Sequence, residues 1–364
     1  MSILARDNRV LYVEPQLSVL HIFKNLINGL GRISRCLRGV SGNGSLYIYT
    51  PMPVLPFANY SIVINKINQK ILLICLRRLV KKIRFRRPIL WIYTVNSVFL
   101  AGRMDEKLVI YYCIDDFRSE IAVKRRMDVL SFLEDSLLIK ADVVFTCAKS
   151  ILEARKTQRP DIHFIRNGVD FGLFSRKSES GDAPPDMKDI PSPRIGCIGT
   201  LDSRVDVSLL SFIASNKPDW QIVLIGLNLM RLKDNAMLKG CPNIHFLGFK
   251  KHELLPRYIN MMDVCIIPYH TGGFHRGIFP LKTLEYLAAG KPVVSTNLIE
   301  LAEFQKVVRL SDNREEFIYN IDFCLKNKCD LLKGQEIAAA LSWDSRVNNI
   351  SEVIAQELKG RNVS

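Results

Sequence analysis

The chain has 364 residues, enough for two domains with substantial cores, and at 48% hydrophobic and 24% charged it is globular rather than disordered. Its net charge is +15, yet no residue between Glu14 and Asp105 is acidic, while fourteen in that interval are lysine or arginine. Such asymmetry points to an anionic partner for the amino-terminal half. The longest uncharged apolar run, 89–102, falls short of the ~20 residues that a membrane-spanning helix needs, and Arg6 and Asp7 interrupt any leader-like start. Nine cysteines are scattered without a Cys-x-x-Cys pair, which favours reduced thiols and a cytoplasmic setting over disulfides or zinc.

In chain order, residues 10–13 read as a strand, 17–37 as a helix with a basic end, and 46–50 as a second strand before a proline-rich loop. Residues 61–85 place Leu72, Leu76, Leu79 and Ile83 on one helical face and Lys66, Lys70, Arg77, Lys81 and Arg84 on another. Such a segment, 61–87 with its flanking arginines, suits an anionic membrane surface; inward-packed leucines under a solvated basic face are the other reading. No aromatic platform or binding motif accompanies the charge, so no nucleic-acid partner is expected. Strands at 88–92, 108–113 and 142–145, the last two separated by a long helix, imply a parallel, doubly wound sheet. Ligands of such sheets gather beyond the carboxyl ends of the strands. Asp115 and Asp116 stand at one of those ends, either to cap the helix of 117–141 or to work on a ligand.

At 164–174 the chain reads FIRNGVDFGLF, a turn in which Gly168 permits positive φ and Asn167 and Asp170 tie the backbone. Residues 175–193, with four prolines, read as an exposed linker. Then comes a strand with a glycine turn, RIGCIGTLDSRVDVSLL, and a helix expected from near Arg204. Amides at that helix start would face the Gly199–Thr200 turn, an arrangement suited to a diphosphate. Strands follow at 221–225 and 243–248, where His245 falls on a strand face ahead of Phe249 and Lys250. The stretch 263–296 reads as strand, loop with Gly272, Gly273 and Gly277, helix from Pro280, Gly290 cap, and strand. Leu281, Leu284, Leu287 and Ala288 face a core in this reading, with Glu285 mid-helix. A helix from about 342 closes the chain.

The wording of 263–296 closely resembles the nucleotide-binding segment of GT-B glycosyltransferases of the large retaining family, group 1, of the bacterial surface-polysaccharide type. Pro280-Leu281-Lys282 and the run from Glu285 to Val294 carry the likeness with almost no gap. It implies an α/β protein of GT-B fold, two doubly wound Rossmann-like domains facing across a cleft. Residues 1–166 would bind the acceptor and 167–341 the nucleotide sugar, with the helix of 342–360 packing back on the first domain. By the same resemblance Arg204 holds the donor's diphosphate with the Gly199 and Thr200 amides. Thr200 replaces an arginine common in relatives, so Lys282 or Arg276 would complete the clamp. Glu285 would take both ribose hydroxyls. The glutamate that relatives carry eight positions earlier is Gly277 here, which leaves sugar recognition open, and Arg166 replaces the proline of the family's hinge. An acidic pair often stands where other members use a histidine, which gives Asp115 or Asp116 a role toward sugar or acceptor.

The implied activity is that of a hexosyltransferase, moving a sugar from a nucleotide-diphosphate donor to a lipid-linked or other glycan acceptor with retention. No cofactor is expected beyond the donor, and no Asp-x-Asp occurs to hold a metal. The expected location is peripheral, on the cytoplasmic face of the membrane. A sugar-nucleotide epimerase of the same fold, or a non-catalytic scaffold in a polysaccharide assembly complex, are the alternatives. Hydrolase triads, P-loop signatures and zinc spacings are absent.

Overall fold

A computed structural model describes residues 1–20, 31–32, 34–36, 39–42, 44–114, 124–176, 183–272, 279–327 and 329–363. The expected sites Asp115, Asp116 and Arg276, together with Gly277 and most of the helix expected at 17–37, lie outside the described residues. The chain divides into two compact units, Met1–Ile165 with Val347–Ser364, and Arg166–Arg346.

In the first unit, β1 (Val10–Val13), β2 (Val40–Ser41) and β3 (Leu46–Tyr49) form a small sheet in which β3 is central, parallel to β1 and antiparallel to β2. A second sheet runs β4 (Ile89–Ile92), β5 (Leu108–Cys113), β6 (Val143–Thr146), β7 (His163–Phe164) in that order, all parallel. Every residue of β5 is buried, as expected of an uninterrupted apolar strand covered on both faces. Helix α1 (Ile62–Lys82) starts at Ser61, whose hydroxyl accepts the Ile64 N–H. Its Leu72, Leu76 and Leu79 are buried. Helix α2 (Lys124–Lys140) covers one face of β5 with Leu130, Leu133 and Leu137.

The second unit holds a six-stranded parallel sheet of β8 (Arg194–Ile198), β9 (Gln221–Ile225), β10 (Ile244–Gly248), β11 (Val264–Ile267), β12 (Val293–Thr296) and β13 (Val308–Ser311). Their order is β10-β9-β8-β11-β12-β13. The chain therefore winds outward from β8 to β10, then returns to lay β11 against the free side of β8. That reversal makes the carboxyl ends of β8 and β11 the switch point where such sheets bind ligands. Helices α3 (Val207–Asn216), α4 (Lys282–Ala288), α5 (Arg314–Lys326) and α6 (Leu331–Ala340) follow β8, β11, β13 and α5.

Several local expectations are corrected here. Helix α3 starts at Val207, not near Arg204, because the Asp206 carboxylate caps it by accepting the Leu209 N–H at 3.0 Å. Helix α4 keeps Leu284, Leu287 and Ala288 buried, but Leu281 precedes its first turn and is 39% exposed. The stretch expected as an exposed linker is anchored where it is described: Met187 and Ile190 are buried, and Asp186 accepts from Lys250 at 2.6 Å and Tyr258 at 2.9 Å. Gly168 does not have positive φ. It is needed for space, since a Cβ there would sit 2.9 Å from the Trp343 nitrogen. Around it, Val169 N–H donates to Leu341 O (3.1 Å) and Trp343 N–H to Val169 O (3.0 Å).

Helix α7 (Trp343–Val363) closes the chain. Its Ile350 is buried among Leu108, Ile110 and Phe145 of the first unit, and Arg361 bonds Lys107 O and pairs with Asp142. No helix among the described residues is long and apolar enough to cross a membrane.

Candidate functional site

The site grows from the loop after β8. Gly199 has φ +147°, open to glycine alone without strain. Its neighbour strand ends the same way: Gly226, after β9, has φ +148°, and a Cβ on it would lie 1.8 Å from the Gly199 carbonyl oxygen. Two glycines thus let two chains cross in contact at the sheet's carboxyl edge, and the Gly226 N–H goes on to Gly248 O at the end of β10. Beyond Gly199 the loop is pinned on both sides. Leu201 N–H bonds Leu227 O (2.9 Å), while Asp206 N–H bonds Pro268 O (2.7 Å) and His270 N–H bonds Arg204 O (2.9 Å).

Helix α4 is locked to the same strand by Tyr286, which is wholly buried. The Ile198 N–H donates to its hydroxyl at 2.8 Å, and that hydroxyl donates back to Ile198 O at 3.3 Å. A buried phenol needs such partners, and this one fixes the first turn of α4 over the glycine loop. The Lys282 stem accordingly lies above Gly199: its Cε would be 3.5 Å from a Cβ there. Lys282 Nζ reaches Glu285 Oε2 at 2.8 Å, and the other carboxylate oxygen is 3.9 Å from His252 Nε2. Burial pushes the thiol of Cys197, in β8, up to about 12, with the Lys282 charge pulling the other way.

Arg204 is bound by Asp202 through Nε (2.9 and 3.2 Å) and a terminal nitrogen (2.7 Å), and that hydrogen bonding raises its already high pKa. Its guanidinium lies 5.8 Å from the Tyr269 ring centre. Tyr269 joins the two halves of the cluster, because its hydroxyl would be 3.9 Å from a Cβ on Gly199, beside Lys282. Burial drives the Tyr269 phenol well up, and the charges of Arg204, Asp202 and Glu285 all act on it. Arg204, Lys282 and Glu285 are therefore one neighbourhood around Gly199, while Thr200 sits half-buried in the loop.

Not every expected donor faces outward. The Gly199 N–H is taken by Ile225 O at 2.8 Å, and Asp206 takes the Leu209 amide of α3. Tyr269, His252, Asp202 and Gly226 join the site unannounced by the sequence reading. His245 sits on β10 with Nε2 2.7 Å from Gln221 Oε1, a strand-face residue. Phe249 is exposed, and Lys250 is committed to Asp186. A cavity of about 500 Å³ lined by Asp263, Lys291, Cys324 and Cys329 opens at the amino ends of β11 and β12, the opposite end of the sheet from these charged groups.

Residues 192–327, which contain this whole cluster, match the family model for glycosyl transferases group 1. A candidate teichuronic acid biosynthesis glycosyltransferase, TuaH of Bacillus subtilis (strain 168), is 28% identical over 233 residues, covering 60% of this chain. The aligned stretch spans 58% of that relative's length. Among solved structures, sucrose-phosphate synthase from Thermosynechococcus elongatus has a TM-score of 0.67 at 14% identity, covering 97% of this chain and 100% of that one. HepE of Anabaena, solved in complex with UDP-glucose, has a TM-score of 0.66 at 14% identity, over 96% and 99%. At that identity the likeness concerns architecture, and the architecture is GT-B. Within the matched residues, Lys282, Glu285 and Arg204 lie at the switch point of the sheet.

Proposed function

We propose that the protein transfers a sugar from a nucleoside diphosphate donor to a glycan carried on a lipid, with retention of configuration and without a metal. The observation that carries this reading is the Lys282–Glu285 pair above Gly199, with Arg204 across Tyr269. An acid and two cations at one switch point match the three parts of a nucleoside diphosphate. Glu285 accepts the two ribose hydroxyls, and Lys282 and Arg204 take the diphosphate with the Thr200 amide. As the sugar departs, negative charge grows on the leaving diphosphate, and cations already in place stabilise it. Such pre-positioned donors are usually the largest catalytic contribution, about 3 kcal/mol for each one removed. The first unit serves the acceptor, with Asp115 or Asp116 orienting sugar or acceptor, and the second serves the donor. Binding of UDP and UDP-glucose by the structurally similar HepE supports a donor of this class.

The site pairs its own charges, Lys282 with Glu285 and Arg204 with Asp202, so donor binding is an exchange. Lys282 leaves Glu285 for phosphate as Glu285 turns to ribose. Titration calorimetry of Glu285→Ala with UDP and with inorganic pyrophosphate tests this directly. UDP affinity is expected to fall about tenfold, the loss of one charge-assisted hydrogen-bonding group, while pyrophosphate affinity holds or rises. Equal UDP affinity in variant and wild type would take Glu285 out of the site.

A further inference from the structure

Helix α1 is built inside out over its first two turns. The residues it buries there are amides: Asn65, Asn68 and Gln69 are at most 2% exposed. Each donates internally: Asn65 Nδ2 to Asn96 O (3.1 Å), Asn68 Nδ2 to Leu55 O (3.0 Å) and Gln69 Nε2 to Gln16 Oε1 (2.8 Å), while Asn68 Oδ1 also accepts the Leu55 N–H (3.0 Å); among the described residues the buried oxygens of Asn65 and Gln69 accept no bond. The residues it exposes are apolar: Val63 at 66%, Ile67 at 44%, Ile71 at 49% and Ile74 at 45%. At 100° per residue these four make one continuous stripe, about 16 Å long. Single exposed aliphatics are ordinary, but a stripe in helical register opposite buried amides is not.

The stripe does not stand alone. Lys70, Arg78, Lys81 and Lys82, all exposed, lie along or beside it. Leu55, which Asn68 fastens to the helix, is also exposed, as is Phe57 two residues on, held at φ +65°, a strained setting for an aromatic residue. No acidic residue between Glu14 and Asp105 offsets the charge. An apolar stripe flanked by cations matches a surface that is apolar inside and anionic at its rim, which describes the headgroup boundary of an acidic bilayer. This differs from the sequence expectation, in which the leucine face was the apolar one; Leu72, Leu76 and Leu79 are spent on the core.

We propose that the outward face of α1 lies flat on an anionic lipid bilayer, with Val63, Ile67, Ile71 and Ile74 entering the acyl boundary and the flanking lysines and arginine bearing on lipid phosphates. The claim does not depend on the transferase reading, because it concerns partition and not chemistry. Flotation of the full chain with vesicles of phosphatidylcholine alone, or of phosphatidylcholine mixed with phosphatidylglycerol, tests it. Wild-type protein is expected to float with the mixed vesicles and much less with the neutral ones. Lys70→Glu/Arg78→Glu is expected to lower partition about 25-fold or more, at about fivefold for each basic group. Ile67→Ser/Ile71→Ser/Ile74→Ser is expected to bind at low salt and detach at high salt, where wild type persists. UDP binding by both variants, expected unchanged, shows that they are folded and keeps this claim separate from the donor site. If wild type fails to float with anionic vesicles, or the serine variant resists salt as wild type does, the proposal is overturned and the stripe is left to a protein partner.

Discussion

In the second unit Arg204 lies 2.7 Å from Asp202, Lys282 2.8 Å from Glu285, and Arg166 3.0 Å from Glu303. In the first, the cations of α1 sit in ninety residues without a single acid. One region neutralises its charges internally and at short range, which holds each side chain in a defined place. The other carries its charge with no acid nearby in the sequence. Internal pairs give geometry, and geometry suits a site that must recognise one molecule. Unpaired charge of one sign gives attraction without register, which suits a surface.

The comparison is broken most severely by loosening the backbone that positions the second unit's pairs. Gly226→Ala sets a methyl against the Gly199 carbonyl at a φ that alanine resists, and is expected to cost roughly 3–5 kcal/mol, read by urea unfolding. A loss under about 1 kcal/mol would show that the crossing of the two chains is slack. Next comes Lys282→Ala, which removes the cation proposed to meet phosphate and releases Glu285. UDP affinity should drop between about tenfold and a hundredfold in calorimetry, whereas an unaffected affinity would mean that Lys282 serves only Glu285. Tyr286→Phe strands the Ile198 N–H in the core and is expected to cost about 1–2 kcal/mol. Its melting temperature should fall further than that of a surface Tyr→Phe control such as Tyr319→Phe.

The smallest effect concerns pH. Burial pushes the Asp186 carboxyl up, but the hydrogen bonds from Lys250 and Tyr258 and the Lys250 charge outweigh it and hold the pKa below the usual 3.8. A depressed carboxylate stabilises the fold above its unfolded pKa and loses that contribution as pH falls through the folded one. Lys250→Met should therefore flatten the acid side of a stability–pH curve, and the far alkaline side too, because the hydrogen bond to Asp186 raises the Lys250 pKa and its contribution is lost as pH climbs through it. Asp186 is partly exposed, so the change should be small.

How much of this was legible in the sequence follows from the range of the interactions. Strands β8 and β11 and helix α4 were readable because their signals are local: unbroken apolar runs, Pro280 before the helix, and Gly290 after it at φ +64°. Lys282 and Glu285 meet at a helical spacing of three, so their pairing too was implicit in the order of residues. Gly226 was not readable as essential, because its constraint is the carbonyl of Gly199, 27 positions away on a neighbouring strand. Tyr269 and His252 were missed for the same reason: nothing around either one announces which charges tertiary packing will bring to it. The starting point of α3 turned on which of two aspartates, Asp202 or Asp206, caps it. In α1 the helical wheel showed leucines and cations, but which apolar stripe faced inward depended on partners for Asn65, Asn68 and Gln69 lying 31, 13 and 53 residues off.

The close packing of Gly168 on Trp343 carries one more consequence. The strand-like bonds between Val169 and residues 341–343 bring the beginning and end of the second unit's chain side by side. Backbone hydrogen bonds thus tie the two ends of that segment together, so a change that displaces one end is felt at the other.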